Sequence, residues 1–406
     1  VQKSYHKTSI FVTLAFICYL CLSGCSDEEE PEDDGVDIPV DPGLVSANTS
    51  FGFDLFTELV EQDFDKNVFI SPPSVALTLA MVYNGASGET QQAMADALNL
   101  EGMTLEEVNA ANKALIANLE NPSKHVDINI ANSLWMQEGL TFKPDFLQRN
   151  EDFYGAAART LDFSEPGAVG TINNWVEEQT QGKIETIMDR INPVATLILV
   201  NALYFQGDWM VKFKRERTYP GKFTRLDGSE KTVQMMTSES DRYKSCWDKD
   251  FRAVSLPYGG GRVSMYIFLP DEDSSLEKFC QNLNAFNWED WMSQFYQGEV
   301  DVHLPRFTTE YEIELNDTLK AMGMEVAFDP LRAEFEGMTS RPIWISEVRH
   351  RTFVEVNEEG TIAAAVTQAT MEESEPMPFV VDRPFFCAIR DNQTGTVLFM
   401  GSIVDP

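Results

Sequence analysis

The sequence predicts an α+β fold with antiparallel or mixed sheets. Helical periodicity dominates the first half of the chain and strand-like alternation the second, without the regular strand–helix alternation that builds a parallel sheet. The stretch 48–406 is long enough for one large domain or two, and no Pro/Gly/Ser-rich linker or internal repeat divides it.

Phe51, Leu55, Leu59 and Val60 recur at helical spacing and predict an amphipathic helix over 48–61. A short strand at 67–70 runs into the turn Ser71-Pro72-Pro73-Ser74. Ser74 caps or begins a helix over 75–83, apolar nearly all round and therefore buried. Helices are expected at 90–98, after a glycine turn, and at 105–119. Val126, Ile128 and Ile130 alternate ahead of Leu134 and Trp135, giving a strand at 125–136. Helices at 143–150 and 170–180 follow, the second from the spacing of Ile172, Trp175 and Val176. Residues 195–205 form a run of Leu, Ile, Val, Tyr and Phe interrupted by Asn201, which reads as a central buried strand. Sheet segments 222–236, 243–256 and 261–269 are divided by glycine turns. Residues 300–307 alternate and precede a helix at 315–322, and strands at 347–356, 385–389 and 397–403 close the chain.

The formal charge of −34 argues against nucleic acid or an anionic membrane surface as partner, because both would be repelled. Past the first 25 residues the cysteines are Cys246, Cys280 and Cys387. An odd number without CxxC spacing points to core packing rather than a disulfide framework or zinc site. His6, His125, His303 and His350 are too scattered for a metal site, and no cofactor is expected. Gly259-Gly260-Gly261 precedes a strand, so it is a turn and not a phosphate loop.

Lys3, His6 and Lys7 precede an apolar run over 10–22 that ends in Leu22-Ser23-Gly24-Cys25. Basic residues, a short apolar stretch and small residues before a cleavage point describe a secretory signal at 1–24, since a spanning helix takes about 20 apolar residues. The tetrad resembles the lipobox of bacterial lipoproteins, which implies lipidation of Cys25. The acidic run 26–35 repels itself and stays solvated, so 25–47 reads as a tether. Acidic residues directly after the cysteine also resemble the surface-export signal of Bacteroidetes lipoproteins. The expectation is an exported lipoprotein anchored through Cys25 in the outer membrane of a Gram-negative bacterium.

The most informative stretch is 353–378. Phe353-Val354-Glu355-Val356 alternates like a strand, and the chain then continues with Gly, Thr, Ile, Ala and Val, uncharged after Glu359. Residues 368–378 are polar and acidic with two prolines and read as an exposed loop. A strand former running into an exposed loop is an edge hazard. It is either a plain surface hairpin or a segment meant to move.

Several segments in order along the chain resemble the serpin family of large serine protease inhibitors. Asn67-Val68-Phe69-Ile70-Ser71-Pro72-Pro73-Ser74 is similar to the family's entry into its second helix. Asn201-Ala202-Leu203-Tyr204-Phe205-Gln206-Gly207-Asp208-Trp209 resembles the central strand of its main sheet, sheet A, and the tryptophan at that sheet's top. Val302-His303-Leu304-Pro305-Arg306-Phe307 with Leu315-Asn316-Asp317-Thr318-Leu319 fits a further sheet and the helix after it. Asp382-Arg383-Pro384-Phe385-Phe386 with Gly401 and Pro406 looks like the C-terminal signature. The resemblance spans 48–406 and implies a single serpin-like domain of about nine helices and three β-sheets, with an exposed reactive loop at about 358–378.

The resemblance also implies a mechanism. In inhibitory members a protease cuts the exposed loop, an acyl-enzyme forms, and the upstream part of the loop inserts into sheet A so that deacylation fails. The chain is then no enzyme, and its partner is the target protease, covalently bound. A hinge free of bulk and charge is required; Gly360, Thr361, Ala363, Ala364 and Ala365 fit, with Glu358 at the start of the hinge, while Ile362 stands where the family often has Glu. Ser71, Ser74, Asn201 and His350 resemble the family's polar cluster beneath the opening of sheet A, and Trp209 belongs with them in conformational control. The family's usual count from Glu358 puts the scissile bond after Ser374, before Glu375. Alignment from Pro384 moves it back to Glu373, and Thr370 and Met371 are weaker candidates. The implied targets are elastase-like, subtilisin-like or glutamate-directed proteases. A papain-like cysteine protease and a noninhibitory surface binding protein of the same fold stand as alternatives. A trypsin-like target does not fit, because no Lys or Arg lies between Gly360 and Val381. A monomer prone to polymerisation is expected.

Overall fold

The computed structural model describes residues 35–120, 122–155, 157–238, 241–360 and 377–406. Cys25, the hinge residues beyond Gly360 and every bait candidate (Thr370, Met371, Glu373, Ser374, Glu375) lie outside the described residues. The first half carries α1 (Pro42–Gln62), β1 (Val68–Ile70), α2 (Pro72–Tyr83), α3 (Gly88–Ala97), α4 (Leu105–Glu120), β2 (Val126–Gln137), α5 (Pro144–Tyr154), β3 (Ala157–Leu161) and α6 (Ala168–Gln179). Strands then take over with β4 (Leu197–Gly207), β5 (Tyr219–Thr224), β6 (Glu230–Thr237), β7 (Asp241–Trp247), β8 (Phe251–Pro257) and β9 (Val263–Pro270). Two short helices, α7 (Leu276–Gln281) and α8 (Ala285–Ser293), precede β10 (Tyr296–Pro305), β11 (Phe307–Glu314) and α9 (Asn316–Leu319). The chain ends through β12 (Ile345–Val356), β13 (Met377–Val380), β14 (Phe385–Asp391) and β15 (Val397–Ile403).

The expected α+β class holds, with nine α-helices among the described residues. One sheet is five-stranded in the order β11-β12-β4-β2-β3. The others are joined in one ten-stranded path because β10 is shared: Tyr296 to Val300 pair with β7, and His303 to Pro305 pair with β6. Three expected sheets therefore read as two hydrogen-bonded units.

The expected tether is too long by several residues. Residues 42–47 open α1, where Asp41 Oδ1 accepts from the Gly43 N–H at 2.8 Å, Pro42 stands at the first helical position, and Leu44 and Ala47 are buried. Upstream of Asp41 the chain is fastened as well. The buried Arg262 guanidinium pairs with Asp391 at 3.1 Å and donates to Val36 O at 2.6 Å and Asn118 Oδ1 at 2.9 Å. Helices α7 and α8 escape a search for long periodic segments, yet each carries a capping signal: Ser275 Oγ accepts from Lys278 N, and Asn284 Oδ1 from Asn287 N.

The main core packs helices against the ten-stranded sheet, and it takes in the free, buried Cys246, Cys280 and Cys387, as their spacing predicted. A second core lies between α6 and one face of β2 and β4. It contains Trp135, Trp175, Ile172, Ile198 and Val200, with the two indoles edge to face at 6.0 Å.

Candidate functional site

The site is the seam between β4 and β12. These strands run parallel and pair directly from Leu197↔Ile345 to Phe205↔Val354. Parallel neighbours this far apart in sequence have no local turn to hold them. Beyond Val354 the strand stays paired with β11 only, through Glu355↔Thr308 and Val356↔Phe307. The seam therefore begins to part where the chain leaves toward the loop.

A polar row crosses the seam at mid-length. Asn132 on β2 faces Asn201 on β4, which faces His350 on β12. His350 is fully buried, and its two ring nitrogens have different duties: Nδ1 donates to Asn201 Oδ1, while Nε2 accepts from the Ser71 backbone N–H at 3.3 Å. Burial pushes its pKa down to about 3. That agrees with the bonding, because a proton on Nε2 would set two donors against each other. Asn201 Nδ2 donates to both Ser74 Oγ and Asn132 Oδ1, and Ser74 Oγ donates to Asn132 Oδ1 at 3.3 Å. Two residues along β12, Thr352 Oγ1 donates to Phe69 O at 2.5 Å. The start of α2 thus plugs the seam from below, holding three strands by satisfied buried polar groups.

The structure brings Ser71, Ser74, Asn201 and His350 together in one hydrogen-bonded cluster. Ser71 is the residue before the helix, and Ser74 lies inside its first turn rather than at its cap. Asn132 was missed; its signal was a polar residue on the inward face of a strand that otherwise reads as core.

A second cluster closes the top of the seam. Trp209, 4% exposed, stacks on Tyr258 at 4.2 Å and donates its Nε1–H to Asn357 O at 2.8 Å, bridging the ends of β4 and β12. The Glu358 carboxylate is buried; it accepts from Thr218 Oγ1 at 2.6 Å and from Arg306 Nη2 at 2.5 Å. Its backbone oxygen accepts from Phe213 N at 3.1 Å. Burial alone would raise this carboxyl's pKa, but Thr218 and Arg306 outweigh it and hold the pKa below the ordinary 4.5. Glu359 pairs with Arg215 at 2.5 Å. Gly360 follows at φ +61°, where an added Cβ would meet Trp209 N at 2.2 Å and Gly207 O at 2.4 Å. Only glycine fits that contact. On the far side of the loop, β13 lies parallel to β10, with Met377 opposite Val300 and Val380 opposite His303.

No group of His, Cys, Asp and Glu among the described residues is arranged to hold a metal ion.

The profile of the serpins, described as serine protease inhibitors, matches residues 46–406. The chain belongs to the serpin family. Leukocyte elastase inhibitor of Equus caballus is 36% identical over 378 residues, covering 89% of this chain and 99% of its own. A serpin-like protein of Thermococcus kodakarensis is 35% identical over 376 residues, 89% of this chain and 86% of its own. Among solved structures, the native thermophilic serpin Tengpin superposes with a TM-score of 0.84 at 31% identity, over 91% of this chain and 96% of its own. This serpin is a suicide-substrate inhibitor of serine proteases, not an enzyme.

The same comparisons overturn the expected outer-membrane lipoprotein. Tengpin, protease nexin-1, thyroxine-binding globulin and ovalbumin all match over most of the chain, and none is named as a membrane or lipid-anchored protein. No helix among the described residues is long and apolar enough to cross a membrane. The expectation rested on the tetrad 22–25 and an acidic run after it, and residues 1–34 lie outside the described residues.

Proposed function

We propose that this serpin traps an elastase-like, subtilisin-like or glutamate-directed endopeptidase that cuts its reactive loop at Glu373-Ser374 or Ser374-Glu375. The observation that carries the reading is the closed β4–β12 seam. Its two strands pair with each other and are held shut by a small set of polar contacts, so a strand can enter between them without breaking any covalent link.

The protease serine attacks the scissile carbonyl, releases the amine of the downstream segment and stays as an ester on the upstream segment. Thr361, Ala363, Ala364 and Ala365 then enter the seam behind Gly360, with no bulk or charge to desolvate. The ester-linked protease moves with the loop, its oxyanion hole is distorted, and hydrolysis fails. The 36% identity to an elastase inhibitor favours a target that accepts small or apolar bait residues, which suits Ser374 more than Glu373.

Incubation with elastase, a subtilisin and a glutamate-directed endopeptidase tests this. A denaturant-stable adduct, with the mass of the released C-terminal peptide placing the cut beside Ser374, is the expected result. Cleavage without an adduct and without a gain in thermal stability would leave a binding role for the same fold.

A further inference from the structure

The chain carries 65 acidic and 31 basic side chains, yet five cations (Lys212, Lys214, Arg215, Arg217 and Lys222) fall within 212–222 with Glu216 as that segment's one acid. The segment crosses the turn before β5 and enters that strand, which is the edge of the ten-stranded sheet. Lys214, Arg215, Arg217 and Lys222 are exposed, Lys222 while paired with Glu230 at 2.7 Å, and Tyr219 is exposed at 39%.

Its place is fixed by the base of the reactive loop. Phe213 N donates to Glu358 O at 3.1 Å, Thr218 Oγ1 to the Glu358 carboxylate at 2.6 Å, and Arg215 pairs with Glu359 at 2.5 Å. The turn also borders the strand on which the chain returns: Tyr219 Oη lies 3.1 Å from His303 Nδ1, and His303 is the register partner of Val380. The loop's own bait region is acidic, with Glu372, Glu373 and Glu375. The basic turn stands out on a molecule whose overall charge repels acidic surfaces.

We propose that the basic turn 212–222 is a docking surface for the target protease, meeting an acidic patch beside that enzyme's cleft. The proposal rests on the inhibitor reading. Exposed Arg and Tyr are residue types that interfaces favour, and complementary charge at a rim acts chiefly on the rate of encounter and its orientation. The bait asks for a cleft that tolerates acid, and the turn asks for acid next to it. Only an enzyme with both features is captured quickly.

The test is the charge-reversed variant K214E/R217E, with K214Q/R217Q as its milder companion. The control is K66E/K249E, which changes the net charge by the same amount outside the turn. Lys222 is left intact because it pairs with Glu230 at 2.7 Å. Arg215 is left intact because its pair with Glu359 belongs to the hinge. Adduct formation with elastase, a subtilisin and a glutamate-directed endopeptidase is timed at low and high NaCl, and binding to the inert Ser→Ala form of the fastest-trapped enzyme is measured. The expected result is an association rate about tenfold lower at low salt for the reversed variant, less for the neutral one, and a flattened salt dependence. Stoichiometry and melting temperature stay as in the parent, and K66E/K249E traps at the parental rate. Unchanged trapping by the reversed variant overturns the proposal. So does lost retention on a sulfated polysaccharide column with trapping intact, which reassigns the turn to a polyanion. If the parent forms no adduct with any of the enzymes, the inhibitor reading itself fails and the docking surface falls with it.

Discussion

Arg306 grips both carboxylate oxygens of Glu358, two residues past the end of β12, where the reactive loop begins. The Glu358 side chain is buried at 2% exposure while Arg306 is 45% exposed, so the acid depends on the pair more than the base does.

Reversing Glu358 tests that dependence. E358K sets a buried ammonium against Arg306 and removes the acceptor of Thr218. The expected cost is about 3 kcal/mol, the range for breaking a buried pair by replacing one partner. The seam should open from the top, giving polymers on native gels at temperatures where the parent is monomeric. A variant that melts with the parent and stays monomeric would show that the pair does not hold the seam.

The His350 lock carries its own pH dependence. The opened or unfolded chain takes a proton near 6.5, while the buried ring resists it down to about 3. Between those values only the open state binds the proton, so stability is full above pH 6.5 and declines as pH falls toward 3. The slope is at most about 1.4 kcal/mol per pH unit. Glu358 acts lower: its depressed pKa means its contribution is complete above 4.5 and is lost as pH falls through the folded value. Melting temperatures at pH 7 and pH 5 separate the two. The parent should lose stability over that interval and H350Q should lose much less; equal losses would remove His350 from the lock.

Much of this was legible in the chain. The run around Asn201 announced a buried central strand because a lone amide among large apolar residues has to be bonded, and it is, to three partners on two neighbouring elements and one helix start. What sequence periodicity missed are relations across the sheet. Asn132 looks like any polar residue on a strand until the register sets it opposite Asn201. The importance of Arg306 to Glu358, and of Thr218 to both, depends on three separate segments meeting, which no local pattern encodes. The start of α1 was legible in the Asp41-Pro42 signal, but the acidic run before it drew the boundary too far along.

Gly360 gives a third prediction. G360A forces a left-handed backbone on alanine and drives its Cβ into the Gly207–Trp209 backbone. The strain, about 1 to 2 kcal/mol, should push the segment 357–360 away from Trp209 and weaken the Nε1–Asn357 bond. The expected readout is a red-shifted tryptophan emission with faster spontaneous conversion to a loop-inserted form. Because alanine suits a strand, trapping should survive. An unshifted emission would mean that this segment tolerates the methyl.

The last prediction separates the bait from the trap. If Ala363 enters the β4–β12 seam after cleavage, its side chain comes to lie in a layer bordered by residues such as Leu203 and Val354, both nearly inaccessible to water. A carboxylate there finds no cation along the seam's interior and must be desolvated or protonated, which costs several kcal/mol. Cleavage does not feel that penalty, since it takes place before insertion. A363E should therefore be cut at the parental rate but insert slowly, so that hydrolysis wins. Adduct disappears, the amount of inhibitor needed per enzyme rises more than about tenfold, and the gain in heat stability on cleavage is lost. Ala363→Val, apolar and strand-forming, should keep adduct and heat gain. If A363E traps as well as the parent, the segment after Gly360 does not enter this seam, and the strands that part must be sought elsewhere in the fold.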